Sequence, residues 1–261
     1  MKHLSDSVYA PLIRDMTWSY SRVKTYESCP HKFYLRYILG RKPTRAFFAE
    51  YGTFVHSLLE RYYKGEIRRK DLPSEYLSCF YDEVTSKAMS SKVFQSYFSD
   101  GLKYLREFVP VEGGIVKAEG KINGDIDGIS FTGVVDLTVD DGSDLMIVDH
   151  KSRAIKPRSK RAKPTKTDEE LDELFVQLYL YVPLVEKTYG RRPKWLAINS
   201  FRTNTLVKEE FCEEKLESAK KWLRDGVETI AADEEFKPEP EQFKCHNLCE
   251  MCEHCEYAKY I

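Results

Sequence analysis

The chain has 261 residues, 42% of them hydrophobic and 32% charged, which is enough to bury the core of one large domain or two small ones. Its 41 Lys and Arg residues are balanced by 42 Asp and Glu residues, which excludes a protein that coats nucleic acid with uniform positive charge. There is no apolar run of membrane-spanning length and no apolar segment of the secretory kind near the start. We therefore expect a cytoplasmic protein that does not enter a membrane.

Apolar periodicity and capping residues predict helices in the first and last parts of the chain. These helices are one from Ser19 or Ser21 toward Cys29, the next from Pro30, Gly52–Lys64, residues 75–110 with a break near Ser99–Gly101, Leu174–Thr188 and Glu213–Ala231. Alternation and turn signals predict strands between them. These strands are Ile115–Ile122, Ile129–Val139 and Leu145–Asp149, antiparallel with turns at Asn123-Gly124 and Asp141-Gly142, and then Lys194–Ser200 and Thr205–Glu210. The order of elements predicts a mixed α/β core inside a helical shell.

Two neighbouring strands deliver acidic and basic side chains to one place. An apolar strand ends in Asp149 and Lys151, which share a face because side chains alternate along a strand. Asp136, on the preceding strand, can bring a second carboxylate to the same point. Two carboxylates with a lysine suit a hard divalent cation and a water activated beside it. The alternative is a pair of strand-end ion pairs, which is the more common meaning of an isolated Asp-x-Lys.

Several short motifs occur in a fixed order along the chain. They are Ser19-x-Ser21 with Tyr26-x-x-Cys29-Pro30, Gly52-x-x-x-His56, Gly133-x-x-Asp136, Asp149-x-Lys151, Gln177-x-x-x-Tyr181 and a cysteine-rich tail. With this ordered set, the chain from about Trp18 onward resembles the PD-(D/E)xK nuclease superfamily, in its RecB-like and Cas4-like branch. The resemblance implies an α/β fold with a restriction-endonuclease-like mixed sheet flanked by helices, in a single nuclease domain over residues 1–261.

The resemblance also implies roles for individual residues. The implied metal ligands are His56, Asp136 and Asp149, with the carbonyl of His150 as an extra one, and the implied catalytic residues are Asp136, Asp149, Lys151, Gln177 and Tyr181. Lys151 would orient or deprotonate the attacking water, and the ion would be Mg²⁺ or Mn²⁺. Glu119 resembles an acidic residue that often precedes the Gly-x-x-Asp strand in this branch, with a minor role. Without the resemblance, His56, Gln177 and Tyr181 would be ordinary helix residues.

Four of the seven cysteines form a dense run near the end of the chain, Cys245-x₃-Cys249-x₂-Cys252-x₂-Cys255. An odd number of cysteines without an export signal favours a metal site over a disulfide framework. The last three, Cys249, Cys252 and Cys255, have the spacing that supplies three thiolates to a [4Fe–4S] cluster whose fourth ligand comes from elsewhere. Cys29 is the natural fourth donor.

The resemblance implies the same iron–sulfur clasp, formed between an N-terminal helical Cys-Pro segment (residues 16–40) and a C-terminal cysteine-rich tail (residues 238–261) that packs with it. In that branch the last three cysteines are separated by two and then about five residues, whereas here the last gap is two and Cys245 precedes the run. Two questions therefore stay open. One is whether Cys245 replaces one ligand, and the other is whether a four-cysteine Zn²⁺ site takes the place of the cluster.

The segment Lys151–Thr167 carries eight Lys or Arg residues and no periodicity. Because it begins at Lys151, it leaves from the mouth of the predicted site and would attract phosphates there. We expect Lys160, Arg161 and Lys163 to bind DNA. The alternative is a solvated run of charge without a partner.

Together these features predict a divalent-metal-dependent DNA nuclease, an exonuclease on DNA ends or single strands that serves DNA repair, recombination, or phage or CRISPR-type DNA processing. Expected partners are DNA and helicase, recombination or CRISPR proteins. The first alternative is a catalytically inactive nuclease-fold module that binds DNA as a scaffold and keeps a cysteine-ligated metal site. The intact set of His56, Asp136, Asp149 and Lys151 favours the enzyme. A third hypothesis is a zinc-clasped RNA-processing protein. The sequence carries no RNA-recognition signature, which counts against it.

Overall fold

Five strands form one sheet with the spatial order β1-β2-β3-β4-β5 in the computed structural model, which describes residues 6–44, 46–111, 113–161 and 163–260. The strands are β1 (Gly114–Ile126), β2 (Ile129–Asp140), β3 (Leu145–Lys151), β4 (Trp195–Ser200) and β5 (Thr205–Glu210). Strands β2 and β3 are antiparallel, β3 and β4 are parallel, and β4 and β5 are antiparallel. The sheet is therefore mixed, as predicted, and its parallel pair requires a crossover connection.

Helices precede the sheet, cross between β3 and β4, and follow β5. They are α1 (Ala10–Arg14), α2 (Tyr20–Ser28), α3 (Pro30–Phe33) with a π-helical continuation (Tyr34–Ile38), α4 (Phe47–Tyr63), α5 (Leu72–Glu83), α6 (Ser91–Glu107), α7 (Lys166–Tyr189), α8 (Glu213–Ala232) and α9 (Gln242–Asn247). Short 3₁₀ turns cover Arg69–Asp71, Cys252–His254 and Tyr257–Tyr260. No helix among these described residues combines the length and the apolar composition that a bilayer span requires.

The described residues divide into two compact units. The first unit comprises Met1–Ala46, Asn123–Gly133 and Glu214–Ile261, and the second comprises Phe47–Ile122 and Val134–Glu213. The predicted Cys-Pro segment and the cysteine-rich tail both belong to the first unit. The predicted metal ligands and catalytic residues all belong to the second.

In the second unit, α7 packs against β3 and β4 and supplies the crossover. The helix begins at a capping box, in which Asp168 accepts the backbone N–H of Thr165 at 2.7 Å, and it ends where Gly190 adopts a left-handed φ of 68°. Most of its apolar side chains are buried, Leu178 and Val182 completely. The cap, the apolar face and the C-terminal glycine together fix the position of the polar residues that α7 carries.

Helices α4, α5 and α6 form an aromatic core in the same unit, which includes Tyr51, Phe54, Tyr76 and Phe80. The break predicted near Ser99–Gly101 is wrong, because α6 runs through that point and the break lies between α5 and α6, over residues 84–90. A Cβ atom at Gly101 would lie 2.6 Å from the Tyr51 hydroxyl and 2.8 Å from the Tyr76 hydroxyl. The glycine therefore allows close packing between helices and does not end one.

The turn predicted at Asn123-Gly124 is also wrong, because β1 continues to Ile126. The chain reverses at Asp127 and Gly128, whose φ angles are 51° and 85°, as a two-residue hairpin turn requires. The side chain of Asn123 instead accepts a hydrogen bond from the Thr132 hydroxyl at 2.6 Å. The remaining predicted helices and strands are present, with ends that differ from the predicted ones by a few residues in most cases and by more at the start of α7.

In the first unit, polar contacts tie the cysteine-rich tail to the segment around α3. Lys32 and Arg36 bind the carboxylate of Glu250 at 2.8 and 2.7 Å. The backbone N–H of Thr44 donates to the Glu250 carbonyl at 2.9 Å, and Nε2 of His254 lies 2.9 Å from the carbonyl of Lys42. These contacts therefore hold the segment around α3 next to the cysteine-rich tail, although the two are far apart in the sequence.

Candidate active site

The register of β2 and β3 places two carboxylates side by side. Leu137 pairs with Val148, and Asp136 and Asp149 are the neighbours of these two residues on β2 and β3, near enough for the charge of Asp149 to act on Asp136. The Asp149 residue is 4% exposed, and the Asp136 side chain is 10% exposed. The backbone N–H of His150 donates to Asp136 Oδ2 at 2.5 Å. The predicted convergence of these two acids is therefore present in the structure.

His56 reaches the same point from α4. Its Nδ1 atom lies 3.6 Å from Asp136 Oδ2 and 3.7 Å from Glu119 Oε1, and one ligand atom from each of the three residues lies within 4.8 Å of the others. Glu119 lies in β1 with a φ of 49°, a conformation that is uncommon for residues other than glycine and often marks functional sites. An imidazole nitrogen and carboxylate oxygens at these distances can hold a divalent cation.

The charges of this group perturb one another. Burial raises the pKa of Asp136 to about 7, and the nearby charge of Asp149 acts in the same direction. Burial alone would lower the pKa of His56, but the carboxylates of Glu119, Asp136 and Asp149 outweigh burial and raise it. Two buried acids facing each other are stabilised by a proton or by a cation, so the site is electrostatically prepared for positive charge.

Lys151 lies beside Asp149 and is linked to α7. Its Nζ atom is 2.7 Å from Asp149 Oδ2 and donates to Gln177 Oε1 at 2.8 Å. The amide of Gln177 donates in turn to the Tyr181 hydroxyl at 2.9 Å, and burial raises the pKa of this tyrosine, which keeps it neutral. Gln177 and Tyr181 lie one helical turn apart, so a single helix face orients the ammonium group.

The side chain of His150 is buried and takes part in a network behind the acids. Its Nδ1 atom lies 2.9 Å from Nδ2 of Asn199, which also donates to the Tyr104 hydroxyl at 2.9 Å. Burial lowers the pKa of His150 to about 3, so its ring is neutral. Asn199 and Tyr104 were missed in the sequence, although the change from apolar to polar residues at the end of β4, at Asn199 and Ser200, was an available signal. The structure places Asn199 in register with His150.

Within the basic segment, the stretch from Ser159 to Thr165 is held at both of its ends by one side chain. Asp168 accepts the backbone N–H of Ser159 with one carboxylate oxygen and that of Thr165 with the other, each at 2.7 Å. Arg158 is bound to Asp172 and Glu209 at 2.6 and 2.8 Å. The cations predicted to bind DNA, Lys160, Arg161 and Lys163, are all exposed.

In the first unit, five cysteines line one cavity of about 310 Å³: Cys29, Cys245, Cys249, Cys252 and Cys255. All seven cysteines of the chain are free thiols. The Sγ atom of Cys29 accepts the backbone N–H of Glu239 at 3.5 Å. No three of the described cysteine sulfurs lie within 4.8 Å of one another. The predicted remote donor and the predicted C-terminal donors thus share a cavity, and Cys245 lies there with them.

A sequence model of the PD-(D/E)XK nuclease superfamily matches residues 17–260, so the chain belongs to this superfamily. Its fold is similar to a crystal structure described as a "Putative exonuclease" from Eubacterium rectale, with 13% sequence identity, coverage of 97% of this chain and 94% of that one, and a TM-score of 0.48. It is also similar to the structure of SSO0001, with 14% identity, coverage of 91% and 94%, and a TM-score of 0.33. No curated protein matches the chain.

Proposed function

We propose that this protein is a divalent-metal-dependent deoxyribonuclease, an exonuclease that hydrolyses phosphodiester bonds at DNA ends or in single strands. The observation that supports it most is the convergence of His56, Asp136 and Asp149 beside the ammonium group of Lys151. Membership of a nuclease superfamily supports the hydrolytic chemistry. DNA repair, recombination, and phage or CRISPR-type processing are the settings we propose for it, with helicase, recombination or CRISPR proteins as partners.

The donor set fits a hard cation. His56, Glu119 and Asp136, whose ligand atoms lie within 4.8 Å of one another, would hold Mg²⁺ or Mn²⁺, with Asp149 and the carbonyl of His150 as further oxygen donors. When bound, the ion supplies positive charge that neutralises a phosphate and lowers the pKa of an attacking water. An open cavity of about 310 Å³ against His56 and Glu119 leaves room for a phosphate group.

The protein's own residues position the remaining groups. The ammonium of Lys151 donates one N–H to Gln177 Oε1 and forms an ion pair with Asp149 Oδ2. Held by these two contacts, it has a further N–H that can donate to a phosphate oxygen or hold the attacking water in line. Gln177 is itself fixed by Tyr181, so Lys151 meets the substrate without first having to be ordered.

Digestion of labelled DNA tests the proposal. The purified protein is incubated with linear duplex, linear single strands and closed circles, in Mg²⁺, Mn²⁺ or EDTA. We expect linear DNA to be degraded only with metal and circles to stay intact. Asp149→Asn and Lys151→Ala should each lower the rate by at least about 10²-fold, because each removes charge at the reacting phosphate.

A matched ion pair in the same sheet provides the control. Lys194 and Asp144 lie 2.9 Å apart near the other ends of β4 and β3. Lys194→Ala and Asp144→Asn should therefore leave the rate unchanged. Cleavage that survives Lys151→Ala would show that the site is elsewhere, and DNA binding without cleavage in any metal would favour the inactive scaffold.

We also propose that the thiol cavity of the first unit holds a [4Fe–4S] cluster. A four-cysteine zinc site brings its sulfurs to about 3.8 Å from one another, since each Zn–S bond is about 2.3 Å. The spread of the cysteine sulfurs and the volume of the cavity favour the larger cluster over zinc. Iron, sulfide and zinc assays after anaerobic purification test this. A brown protein that loses its colour in Cys29→Ser and Cys252→Ser is expected, and stoichiometric zinc would refute it.

A further inference from the structure

The thiol cavity has one cysteine more than a [4Fe–4S] cluster needs. Four irons take four thiolates, whereas five cysteines line the cavity. Cys29 is the only one of them outside the tail. The four tail cysteines form two overlapping sets of three that share Cys249 and Cys252. One set is completed by Cys245 and the other by Cys255.

Cys245 and Cys255 lie on ordered backbone on either side of that shared pair. Cys245 is part of α9, where its backbone N–H donates to the Glu241 carbonyl at 2.8 Å, and it precedes Cys249 by about one helical turn. The backbone N–H of Cys255 donates to the Cys252 carbonyl at 3.2 Å and closes a 3₁₀ turn. Both outer cysteines therefore line the cavity from regular backbone, one before and one after the shared pair.

We propose that Cys245 and Cys255 are interchangeable ligands, an inference that rests on the cluster proposed above. Cys29, Cys249 and Cys252 bind iron in either arrangement, and one of the two outer cysteines completes the set. The exchange involves no electron transfer. The incoming thiol releases its proton to solvent as its iron–sulfur bond forms, and the outgoing thiolate takes up a proton as its bond breaks.

Iron content of serine variants tests the proposal without any assay of cleavage. The unaltered protein, prepared anaerobically, should carry about four irons and four sulfides per chain. Cys245→Ser and Cys255→Ser should each keep that content, whereas the double variant should lose it, as Cys252→Ser should. Cys79→Ser, which changes a thiol outside the cavity, is the control and should keep its iron.

Loss of iron in either outer single variant would overturn the proposal, and so would its retention in the double variant. If the unaltered protein binds no iron, the cluster itself is refuted and this inference with it. Loss in the double variant alone supports interchange.

Alkylation of the unaltered loaded protein gives a second test that does not depend on the folding of variants. Iodoacetamide and peptide mass analysis should find one label among the five cavity cysteines of each loaded chain, at Cys245 in some chains and at Cys255 in others. Cys29, Cys249 and Cys252 should be protected until the iron is chelated. Labelling that is confined to one of the two outer cysteines would refute interchange.

Discussion

Neutralising the three exposed cations of the basic segment should weaken DNA binding in a way that salt reveals. The change is the triple variant Lys160→Ala, Arg161→Ala and Lys163→Ala. These side chains are exposed, and the backbone on both sides of them is held by Asp168. Arg158 is left unaltered because its guanidinium is bound to two carboxylates. The variant thus removes charge from a fixed surface without removing a structural contact.

The magnitude follows from counterion release. Each phosphate contact on a single strand contributes about 0.7 to the slope of log affinity against log salt. Three lost contacts lower the slope by about 2, so between about 50 and 200 mM salt the unaltered protein should lose about 20-fold more affinity than the variant. At the lower salt concentration the variant should bind correspondingly more weakly.

Fluorescence anisotropy with a labelled single strand in EDTA measures binding without cleavage. The control variant, Lys92→Ala, Lys103→Ala and Arg106→Ala, removes the same number of exposed lysines and arginines from α6. It should keep the slope of the unaltered protein. Equal slopes and affinities for the two triple variants would refute a specific role for the basic segment. Mn²⁺ binding, measured by calorimetry, should be unchanged in both.

Three further outcomes are expected. Mn²⁺ affinity should rise steeply from pH 5.5 to about 7, because metal must displace a proton from Asp136, whose pKa is raised to about 7, and from His56, whose pKa is raised by the same carboxylates. A flat calorimetric profile would contradict this. Asn199→Ala should lower the free energy of unfolding in urea by about 2 kcal/mol, because His150 loses a buried hydrogen-bond partner; an unchanged midpoint would show that water replaces the amide. Gly101→Ala should lower the free energy of unfolding by about 1–3 kcal/mol, because the new Cβ would overlap the buried Tyr51 hydroxyl. A higher melting temperature would instead mean that the better helix propensity of alanine dominates.

The sequence was sufficient for features that depend on strand alternation and helix periodicity. Asp149 and Lys151 share a face because they are two residues apart, and Gln177 and Tyr181 share one because they are four apart on a helix. These two spacings determine direction locally, so no knowledge of the remaining fold was required. The approach of Asp136 to Asp149 depended in addition on the register of β2 and β3, which the strand order allowed but did not determine.

Features set by tertiary contact were not predictable in the same way. Gly101 resembles a helix breaker until the buried tyrosines from two other helices are placed against it. The left-handed conformation of Glu119 has no sequence signal, because glycine is the residue expected there. The hydrogen bond from Asn199 to Tyr104 joins residues 95 positions apart, and only the packing of α6 near β4 creates it.

The two oxygens of Asp168 have a consequence for how this protein can change. The Asp168 carboxylate holds the backbone of Ser159 and of Thr165. The contacts of strand β3 and helix α7 therefore do not depend on which residues stand between these two positions. The residues between Ser159 and Thr165 can be replaced by a stretch of other length or charge while both hydrogen bonds to Asp168 are kept. On the proposed role of Lys160, Arg161 and Lys163 in DNA binding, changes in this stretch would alter substrate preference while β3 and α7 keep their own contacts.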